Sequence, residues 1–358
     1  MSKRSKKHGG VKWSQPLVYG GVRALAAGVN VVGLETSARL AGVLGGAYAR
    51  APFNKKRLDR ARDNLRWVNP DWPEERIEQT AVNAYRHLIT LAMEVACTPR
   101  MITPDGWPGR IDVGDLGDAV GRLLGDKPAI LITGHCGNWE ILGAWVASLG
   151  IPMHAIYRPL DLAPLDRWLR RTRQYRGLGL IDKFGAYKVL PEYFARGDSI
   201  AFIADQNAGN RGVFVPFFDR LASTYKSIGL LALEREIPII CGSAHRKGVP
   251  GERRLRYEVN VDDIITPGDW VDRPDPLFYI TARYRRSIER MVMRAPEQYL
   301  WMHRAWKSRP RFEKSGKPFP GSLRAKLEDL PWMTQASLDR ILSRSGQDTA
   351  DFAGSSRP

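Results

Sequence analysis

Short apolar segments alternate with amphipathic segments through the middle of the chain, and this alternation constrains the fold more than any other feature. The predicted strands occupy residues 129–133, 153–157, 179–182, 199–205 and 237–244. The segments between them, such as 138–150 and 163–177, have the apolar spacing of helices. Short, continuously apolar strands are typical of sheets that are buried on both faces. The pattern therefore predicts an α/β fold, a mainly parallel sheet with helices on both faces.

Composition divides the 358 residues into three segments, and 43% hydrophobic residues are enough for a sizeable core. Residues 1–50 are a basic N-terminus followed by helices rich in Ala, Gly, Val and Leu. Residues 51–310 contain the predicted α/β domain, with an added edge strand at 253–261 and a long helix at 275–295. Residues 311–358 are polar and are predicted to form a partly disordered tail that contains a short helix at 331–344.

The apolar N-terminal segment, residues 16–49, is interrupted by Arg23, Glu35 and Arg39. Its longest charge-free stretch, 24–34, is shorter than the ~20 apolar residues that a membrane-spanning helix needs. Lys and Arg clusters flank it on both sides, as is typical of segments beside anionic lipid. We interpret it as membrane-associated helices that lie in, or dip into, the interface. A buried helical hairpin of a soluble domain is the alternative.

The charge balance predicts a polyanionic neighbour. The chain has 55 basic and 38 acidic residues, a net charge of +17, which suits either nucleic acid or an anionic membrane surface. No nucleic-acid-binding motif is evident, so no nucleic-acid partner is expected. Cys97, Cys136 and Cys241 are widely spaced and lack any C-x-x-C pair. This spacing favours a reducing compartment over a disulfide framework or a zinc site.

Polar residues follow three of the predicted strands. His135 comes after the first strand, Arg158 after the second, and Asp205 and Gln206 after the fourth. Because ligands of such sheets bind beyond the carboxyl ends of the strands, these side chains are expected at one edge. Arg158 would place an anionic headgroup or stabilise an oxyanion. Asp205 would hold Arg158 or bind acceptor hydroxyls; a surface arginine and a turn aspartate are the plain alternatives.

His135 and Glu140 are five residues apart, in the segment GHCGNWE (134–140). Residues at this spacing in a regular helix are about 140° apart. The pair meets only if His135 lies in a turn and Glu140 in the first helical turn, for which Gly134 and Gly137 supply backbone freedom. One ring nitrogen would then face Glu140 and the other a substrate proton, as in catalytic triads. The alternative is a capping Glu140 beside an ordinary surface histidine.

Other chemistry is less well supported by the sequence. Cys136 lies next to His135, but adjacent residues on a turn usually point apart, which disfavours a Cys–His relay. No H-E-x-x-H motif or third ligand is visible, so no metal is predicted. His303 is interpreted as a packing residue and not as a base. The apolar loop GVFVPFF (212–218) suits an acyl chain or a membrane contact, with a buried loop as the alternative.

Four segments, in this order, carry a family resemblance over roughly residues 16–310: GHCGNWE, YRPLDLAPLDRWLRR, ADQNAGNRGVFVPFF and APEQYLWMHRAWKSRP. Together they resemble the bacterial lipid A biosynthesis acyltransferases, the late lauroyl and myristoyl transferases. They also look like the related mycobacterial acyltransferases that act on phosphatidylinositol mannosides.

The resemblance implies a glycerolipid-acyltransferase-like fold on the cytoplasmic face of the bacterial inner membrane, in contact with anionic lipids. It implies acyl transfer from an acyl carrier protein or coenzyme A thioester to a glycolipid hydroxyl, with a lipid A precursor as acceptor. Phosphatidylinositol mannoside or a lysophospholipid is the alternative acceptor. His135 would be the general base and Glu140 its orienting partner. Substrate-binding residues would be Asn138, Arg158, Asp205 and Gln206.

The same resemblance implies that no metal or bound cofactor is required, the acyl thioester being a co-substrate. Two other classes of function stay open at this point. One is a basic nucleic-acid-binding protein, motivated by the net charge alone. The other is a soluble thioester hydrolase built on the same sheet edge, with water as the acceptor.

Overall fold

The computed structural model describes residues 14–125, 127–248 and 254–355. The predicted basic N-terminus, residues 1–13, lies outside these ranges. The α-helices are α1 (Ser14–Val32), α2 (Leu34–Arg50), α3 (Lys55–Val68), α4 (Glu74–Met101), α5 (Ala119–Leu123), α6 (Trp139–Ser148), α7 (Ala163–Gln174), α8 (Ala186–Ala195), α9 (Lys226–Arg235), α10 (Pro267–Trp270), α11 (Pro276–Arg294), α12 (Arg311–Lys314), α13 (Gly321–Glu328) and α14 (Gln335–Ser355). The strands are β1 (Ile111–Val113), β2 (Ile130–Thr133), β3 (Met153–Tyr157), β4 (Gly179–Asp182), β5 (Ser199–Ile203), β6 (Val213–Pro216), β7 (Leu221–Thr224), β8 (Ile239–Lys247) and β9 (Arg256–Ile265).

The main sheet has seven strands in the order β1-β9-β8-β2-β5-β3-β4. The run from β8 to β4 is parallel, which confirms the predicted mainly parallel sheet. β9 is antiparallel to β8, and β1 runs parallel to β9. The predicted edge strand is therefore present but is second from the edge, because β1 covers it. β1 has three residues, and its partner strand β9 lies about 145 positions away along the chain. No local sequence pattern therefore predicts it.

Each sheet face packs against its own set of helices. On β2, the side chains of Ile130 and Ile132 are buried in a core formed with α8, α9 and α11. Leu131 points the opposite way, into a core formed with α4 and α6. This alternation follows from the two-residue period of a strand. The two cores confirm that helices cover both faces of the sheet. The connecting loops therefore lie at the ends of the strands.

The apolar segment 212–218 is not a loop. Residues 213–216 form β6, which pairs with β7 in an antiparallel hairpin. The next helix, α9, follows this hairpin and begins at Lys226. Val215 and Phe217 are fully buried within the main core. Their side chains therefore pack inside the fold and do not form an exposed apolar surface.

The C-terminal segment, predicted to be partly disordered, is largely helical. α13 and α14 bury Leu327, Leu338 and Ile341 in the main core. Asp348 on α14 forms an ion pair with the buried Arg309 at 2.6 Å, and Arg309 also pairs with Glu313 at 2.8 Å. The predicted short helix at 331–344 lies largely within α14, which continues to Ser355 because these polar residues bind one another inside the fold.

The N-terminal helices predicted at 16–49 are present as α1 and α2. Gly33 separates them with φ +89°. α2 packs closely on α4, since a Cβ on Gly45 would lie only 2.7 Å from Arg86 Cα. The opposite side of both helices exposes large apolar side chains: Leu17, Leu25, Val31, Val43 and Leu44. Over the ranges that the structure describes, no helix combines the length and apolarity needed to cross a bilayer.

Candidate active site

His135 lies in the turn between β2 and α6, at the carboxyl end of a central strand, as predicted. β2 ends at Thr133 and α6 begins at Trp139. Gly137 in this turn has φ +58°, and a Cβ there would collide with the backbone oxygen of Ala244. Only glycine fits both constraints. The turn is therefore packed against β8, and this packing fixes the backbone that carries His135.

Asn138 caps α6 and does not reach the cavity described below. Its side-chain oxygen accepts hydrogen bonds from the backbone N–H of Glu140 at 3.1 Å and of Ile141 at 2.9 Å. Its amide donates to the buried carboxylate of Glu94 at 2.7 Å, and Arg246 pairs with the same carboxylate. The side chain is fully buried. Asn138 thus has the capping role that its position before a helix explains, and its substrate-binding role stays a prediction.

The hydrogen-bond partner of His135 is Asp205. Nδ1 of His135 lies 2.6 Å from Oδ1 of Asp205, which follows the neighbouring strand β5. The Asp205 side chain is only 1% exposed. Burial raises its pKa, but the charges of His135, His303 and Arg285 outweigh burial and hold that pKa well below the usual range. A carboxylate only accepts, so the Nδ1–H donates to it and Nε2 is left as the basic nitrogen.

Glu140 is bound to Arg173 instead of His135. The Arg173 guanidinium on α7 donates to both Glu140 oxygens, at 2.8 and 2.5 Å, and the indole N–H of Trp139 adds a third hydrogen bond at 3.1 Å. The expected direct contact between His135 and Glu140 is therefore corrected: the described residues form no such hydrogen bond. His135 does lie in the turn and Glu140 in the first turn of α6, as the prediction required. The Glu140 side chain is directed at α7, however, and not at His135.

A cavity of about 840 Å³ lies beside His135 and Glu140. Its wall is mostly apolar and includes side chains from β2, β3, β5, α6, α8 and α9. Arg158 and Gln206 also line it, so the structure brings both predicted residues to the same site as His135. A volume near the upper end of the usual range for small-molecule sites, about 300–1,000 Å³, suits a long apolar ligand.

Comparison with known proteins places the chain in a family. Residues 15–308 match the model of the family described as bacterial lipid A biosynthesis acyltransferase. The chain belongs to this family. It is 28% identical over 274 residues to a lipid A biosynthesis palmitoleoyltransferase of Escherichia coli (strain K12), covering 75% of this chain and 85% of the relative.

Further relatives agree. A lipid A biosynthesis lauroyltransferase of the same strain is 28% identical over 270 residues, covering 72% of this chain and 81% of the relative. A lipid A biosynthesis acyltransferase of Haemophilus influenzae (strain ATCC 51907 / DSM 11121 / KW20 / Rd) is 27% identical over 279 residues, covering 74% and 82%. The protein is therefore an acyltransferase, as the resemblance implied.

His303 lies beside His135, although the sequence predicted only a packing residue there. The rings of His135 and His303 meet edge to face with centroids 5.0 Å apart. Burial, and then the charge of His135, lower the pKa of His303 to about 4, so its ring is neutral near pH 7. The backbone N–H of Leu300 bonds to the His135 carbonyl at 3.3 Å. Together with the bridge between Cys136 and Tyr299, this long-range contact across 165 positions brings His303 to the site.

Two other kinds of chemistry, a cysteine nucleophile and a metal site, have candidate residues here. Cys136 is fully buried, and burial raises the pKa of its thiol, which leaves no thiolate for nucleophilic attack at neutral pH. His135, Asp205 and His303 offer ligand atoms within 4.8 Å of one another, a spacing that a metal ion can bridge. Because His135 already donates Nδ1–H to Asp205, the pair has the geometry of an oriented base. The metal-free site stays a prediction.

Proposed function

We propose that this protein transfers a fatty acyl group from an acyl thioester to a hydroxyl of a glycolipid, with a lipid A precursor as acceptor. The observation that carries the proposal is the His135–Asp205 pair, 2.6 Å apart, at the side of a mostly apolar cavity of about 840 Å³. The cavity suits the acyl chain, and the pair suits removal of a proton from an alcohol. The acyl donor and the acceptor are proposed from the family relationship.

In the proposed mechanism, His135 Nε2 takes the proton of the acceptor hydroxyl as the oxygen attacks the thioester carbonyl. Asp205 holds the ring in the required tautomer and stabilises the imidazolium that forms. The tetrahedral intermediate then collapses, the C–S bond breaks, and the thiolate leaves and takes the proton from His135. The acyl group passes directly to the acceptor oxygen, and no covalent enzyme intermediate forms.

The remaining site residues have supporting parts in this proposal. Glu140 neutralises Arg173 at the cavity wall, so it acts through that arginine and not through His135. Arg158 lines the cavity and forms no ion pair with any residue in the described ranges. Its guanidinium is therefore available to the carbonyl oxygen of the intermediate or to an anionic group of the substrate. Gln206 is proposed to hydrogen-bond the substrate at the same wall.

The donor, the cofactor requirement and the location are proposed from the family. The acyl thioester of acyl carrier protein or of coenzyme A serves as co-substrate, and no metal or bound cofactor is needed. The protein would act at the cytoplasmic face of the bacterial inner membrane, where the exposed apolar sides of α1 and α2 meet anionic lipid. No nucleic-acid partner is proposed.

The first experiment tests the base. His135→Ala should lower kcat/KM for acyl transfer by at least a thousandfold, and Asp205→Asn by about a hundredfold, because an unoriented base has the wrong tautomer. Circular dichroism and the unfolding midpoint should stay close to wild type in both. Arg235→Gln, on the exposed side of α9, is the surface control. Full activity in His135→Ala would contradict the mechanism.

The second experiment identifies the acceptor. Mass spectrometry of lipids from cells with and without the protein should show one lipid class that loses a single acyl chain. Loss from a lipid A precursor supports the proposal. Loss from phosphatidylinositol mannosides or from a phospholipid class would replace the proposed acceptor while keeping the chemistry. Thioester hydrolysis that added glycolipid does not accelerate would instead show that water is the acceptor.

A further inference from the structure

Three arginines surround the loop that carries His303. Arg57 and Arg60 are one turn apart on α3, and Arg304 directly follows His303. The guanidinium of Arg60 donates to the backbone oxygen of Met302 at 3.3 Å. On the same helix, the amide of Asn64 donates to the backbone oxygens of Trp301 and His303, at 2.7 and 3.1 Å. Arg60 and Asn64 therefore fasten α3 along the loop that carries His303.

Among the described residues, no carboxylate pairs with these three arginines. The other arginines of α3 have carboxylate partners: Arg62 pairs with Asp59 and Glu78, and Arg66 pairs with Asp63 and Glu74. In contrast, Arg57 and Arg304 form no ion pair within the described ranges, and Arg60 bonds only to a neutral carbonyl. Burial, and then the charges of Arg304 and Arg57, lower the pKa of Arg60. An anion bound among the three would relieve this repulsion.

The position of the three arginines complements that of the cavity. The ring of His135 lies 5.0 Å from that of Trp139, which lines the apolar cavity, and 5.0 Å from that of His303, which does not. None of the three arginines lines the cavity either. A substrate with its acyl chain in the cavity and its reacting atoms at His135 therefore has a cationic surface next to it on the His303 side. Guanidinium groups bind phosphate oxygens in a paired, planar geometry.

We propose that Arg57, Arg60 and Arg304 form a phosphate-binding site next to His135, and that it holds a phosphate group of a substrate during acyl transfer. The phosphate comes either from the headgroup of the acceptor lipid or from the phosphopantetheine arm of the donor, because both present the same chemistry. The assignment of substrates rests on the proposed function. The binding of phosphate itself does not depend on it.

The first measurement is binding of inorganic pyrophosphate to the full chain by titration calorimetry. Replacing Arg57, Arg60 and Arg304 together by Gln should weaken binding at least tenfold. A control with the same loss of charge replaces Arg66, Arg235 and Arg324 by Gln, and it should bind within twofold of wild type. The double variant Arg57→Gln/Arg304→Gln, which alters only exposed side chains, should show an intermediate loss and guards against misfolding. Equal loss in test and control, or no loss, overturns the proposal.

The second measurement distinguishes the two sources by steady-state kinetics. If the acceptor supplies the phosphate, the triple variant raises KM at least tenfold for a phosphorylated glycolipid and leaves KM for its dephosphorylated counterpart unchanged. If the donor supplies it, KM rises for acyl coenzyme A and not for the acyl pantetheine thioester. An unchanged KM for all four substrates contradicts the site. Selective pyrophosphate binding without any acyl transfer would instead leave the site standing and remove the proposed function.

Discussion

The two carboxylates near His135, those of Asp205 and Glu140, differ in the donors that they already bind. The Asp205 oxygen that meets His135 is buried and has a single strong donor. The Glu140 carboxylate is already bound on both oxygens by Arg173 and by the Trp139 indole. A carboxylate with one donor interacts fully with a developing imidazolium, whereas a paired one is largely neutralised. Asp205 is thus placed to hold the His135 ring, and Glu140 to hold Arg173.

Glu140→Gln and Asp205→Asn should therefore differ in how much activity they lose. Asp205→Asn removes the acceptor of the His135 Nδ1–H bond and should lower kcat/KM by about a hundredfold. Glu140→Gln should lower kcat/KM by about tenfold, roughly 1.4 kcal/mol, through loss of the Arg173 partner. Steady-state kinetics of the two variants measure both losses, and an equal loss would show that Glu140 also acts through His135.

These residues also mark what the sequence can predict about the site. His135, Arg158, Asp205 and Gln206 were expected at one edge because strand ends of a parallel sheet meet there. The partner of His135 could not be deduced, since the choice between a carboxylate 5 positions away and one 70 positions away depends on which direction α6 faces. His303 carried no local signal, because it reaches the site through backbone contacts of the 299–304 loop.

At the scale of elements, α14 is held by charges buried between it and the rest of the fold. Asp348 binds Arg309, whose side chain is 3% exposed, and Arg220 also pairs with Asp348. Ser345, one turn earlier, donates to Glu313 at 2.6 Å. Charges removed from water depend on their partners, so breaking one such pair is strongly destabilising even where the pair itself adds little.

Asp348→Ala should lower the free energy of unfolding by about 3–5 kcal/mol, because it leaves Arg309 without one of its buried partners. Urea denaturation followed by circular dichroism measures this change. The matched control is Asp339→Ala on the exposed side of the same helix, which should change stability by less than about 0.5 kcal/mol. Similar stabilities of the two variants would mean that α14 docks through its apolar residues alone.

Strands could be predicted from the sequence where a local run of apolar residues marks them. The strands β2, β3, β4, β5 and β8 were predicted because each is a continuous apolar run bounded by turn residues. β1, β6 and β7 were not predicted: β1 pairs with β9, and β6 pairs with β7, so their structure depends on partners that a local pattern does not encode. The same holds for the second half of α14, where polar composition suggested disorder and the ion pairs of Asp348 hold the helix on the fold.

At the scale of the whole molecule, buried neutral histidines couple folding to pH. Burial, and then the charge of Arg294, lower the pKa of His245 to about 4, from a usual value near 6.5. The unfolded chain binds this proton at a higher pH than the folded chain does. The stabilisation is therefore fully present above about pH 6.5 and is lost as pH falls toward 4. Burial likewise lowers the pKa values of His87 and His303.

The free energy of unfolding should consequently fall between about pH 6.5 and 4. The shift of His245 alone corresponds to a loss on the order of 3 kcal/mol. His245→Gln should make this part of the stability curve less steep, whatever its effect at neutral pH, because glutamine binds no proton. Urea titrations at several pH values give the slope directly. Equal slopes for wild type and His245→Gln would show that this histidine does not stay neutral in the fold.

The exposed apolar sides of α1 and α2 belong to a larger surface. The guanidinium of Arg23 on α1 lies 6.0 Å from the ring of Trp168, which places α1 next to α7. α7 in turn supplies Arg173 to the cavity wall and carries further arginines: Arg167, Arg170 and Arg171. Apolar side chains beside a basic helix are what binding to an anionic membrane interface requires. Such a surface next to the cavity would let an acyl lipid enter without crossing water.

Leu25→Ser/Leu44→Ser should therefore weaken binding to vesicles that contain phosphatidylglycerol by at least tenfold. Partial burial of two leucines in lipid contributes more than the roughly 1.4 kcal/mol that this factor represents. Leu124→Ser/Val271→Ser is the matched control: these side chains are 66% and 69% exposed, against 73% and 63% for the test pair, and they lie outside α1 and α2. Co-sedimentation with the vesicles measures both. Equal binding by the two double variants would place the membrane contact elsewhere on the molecule, and α1 and α2 would then require another partner for their apolar side.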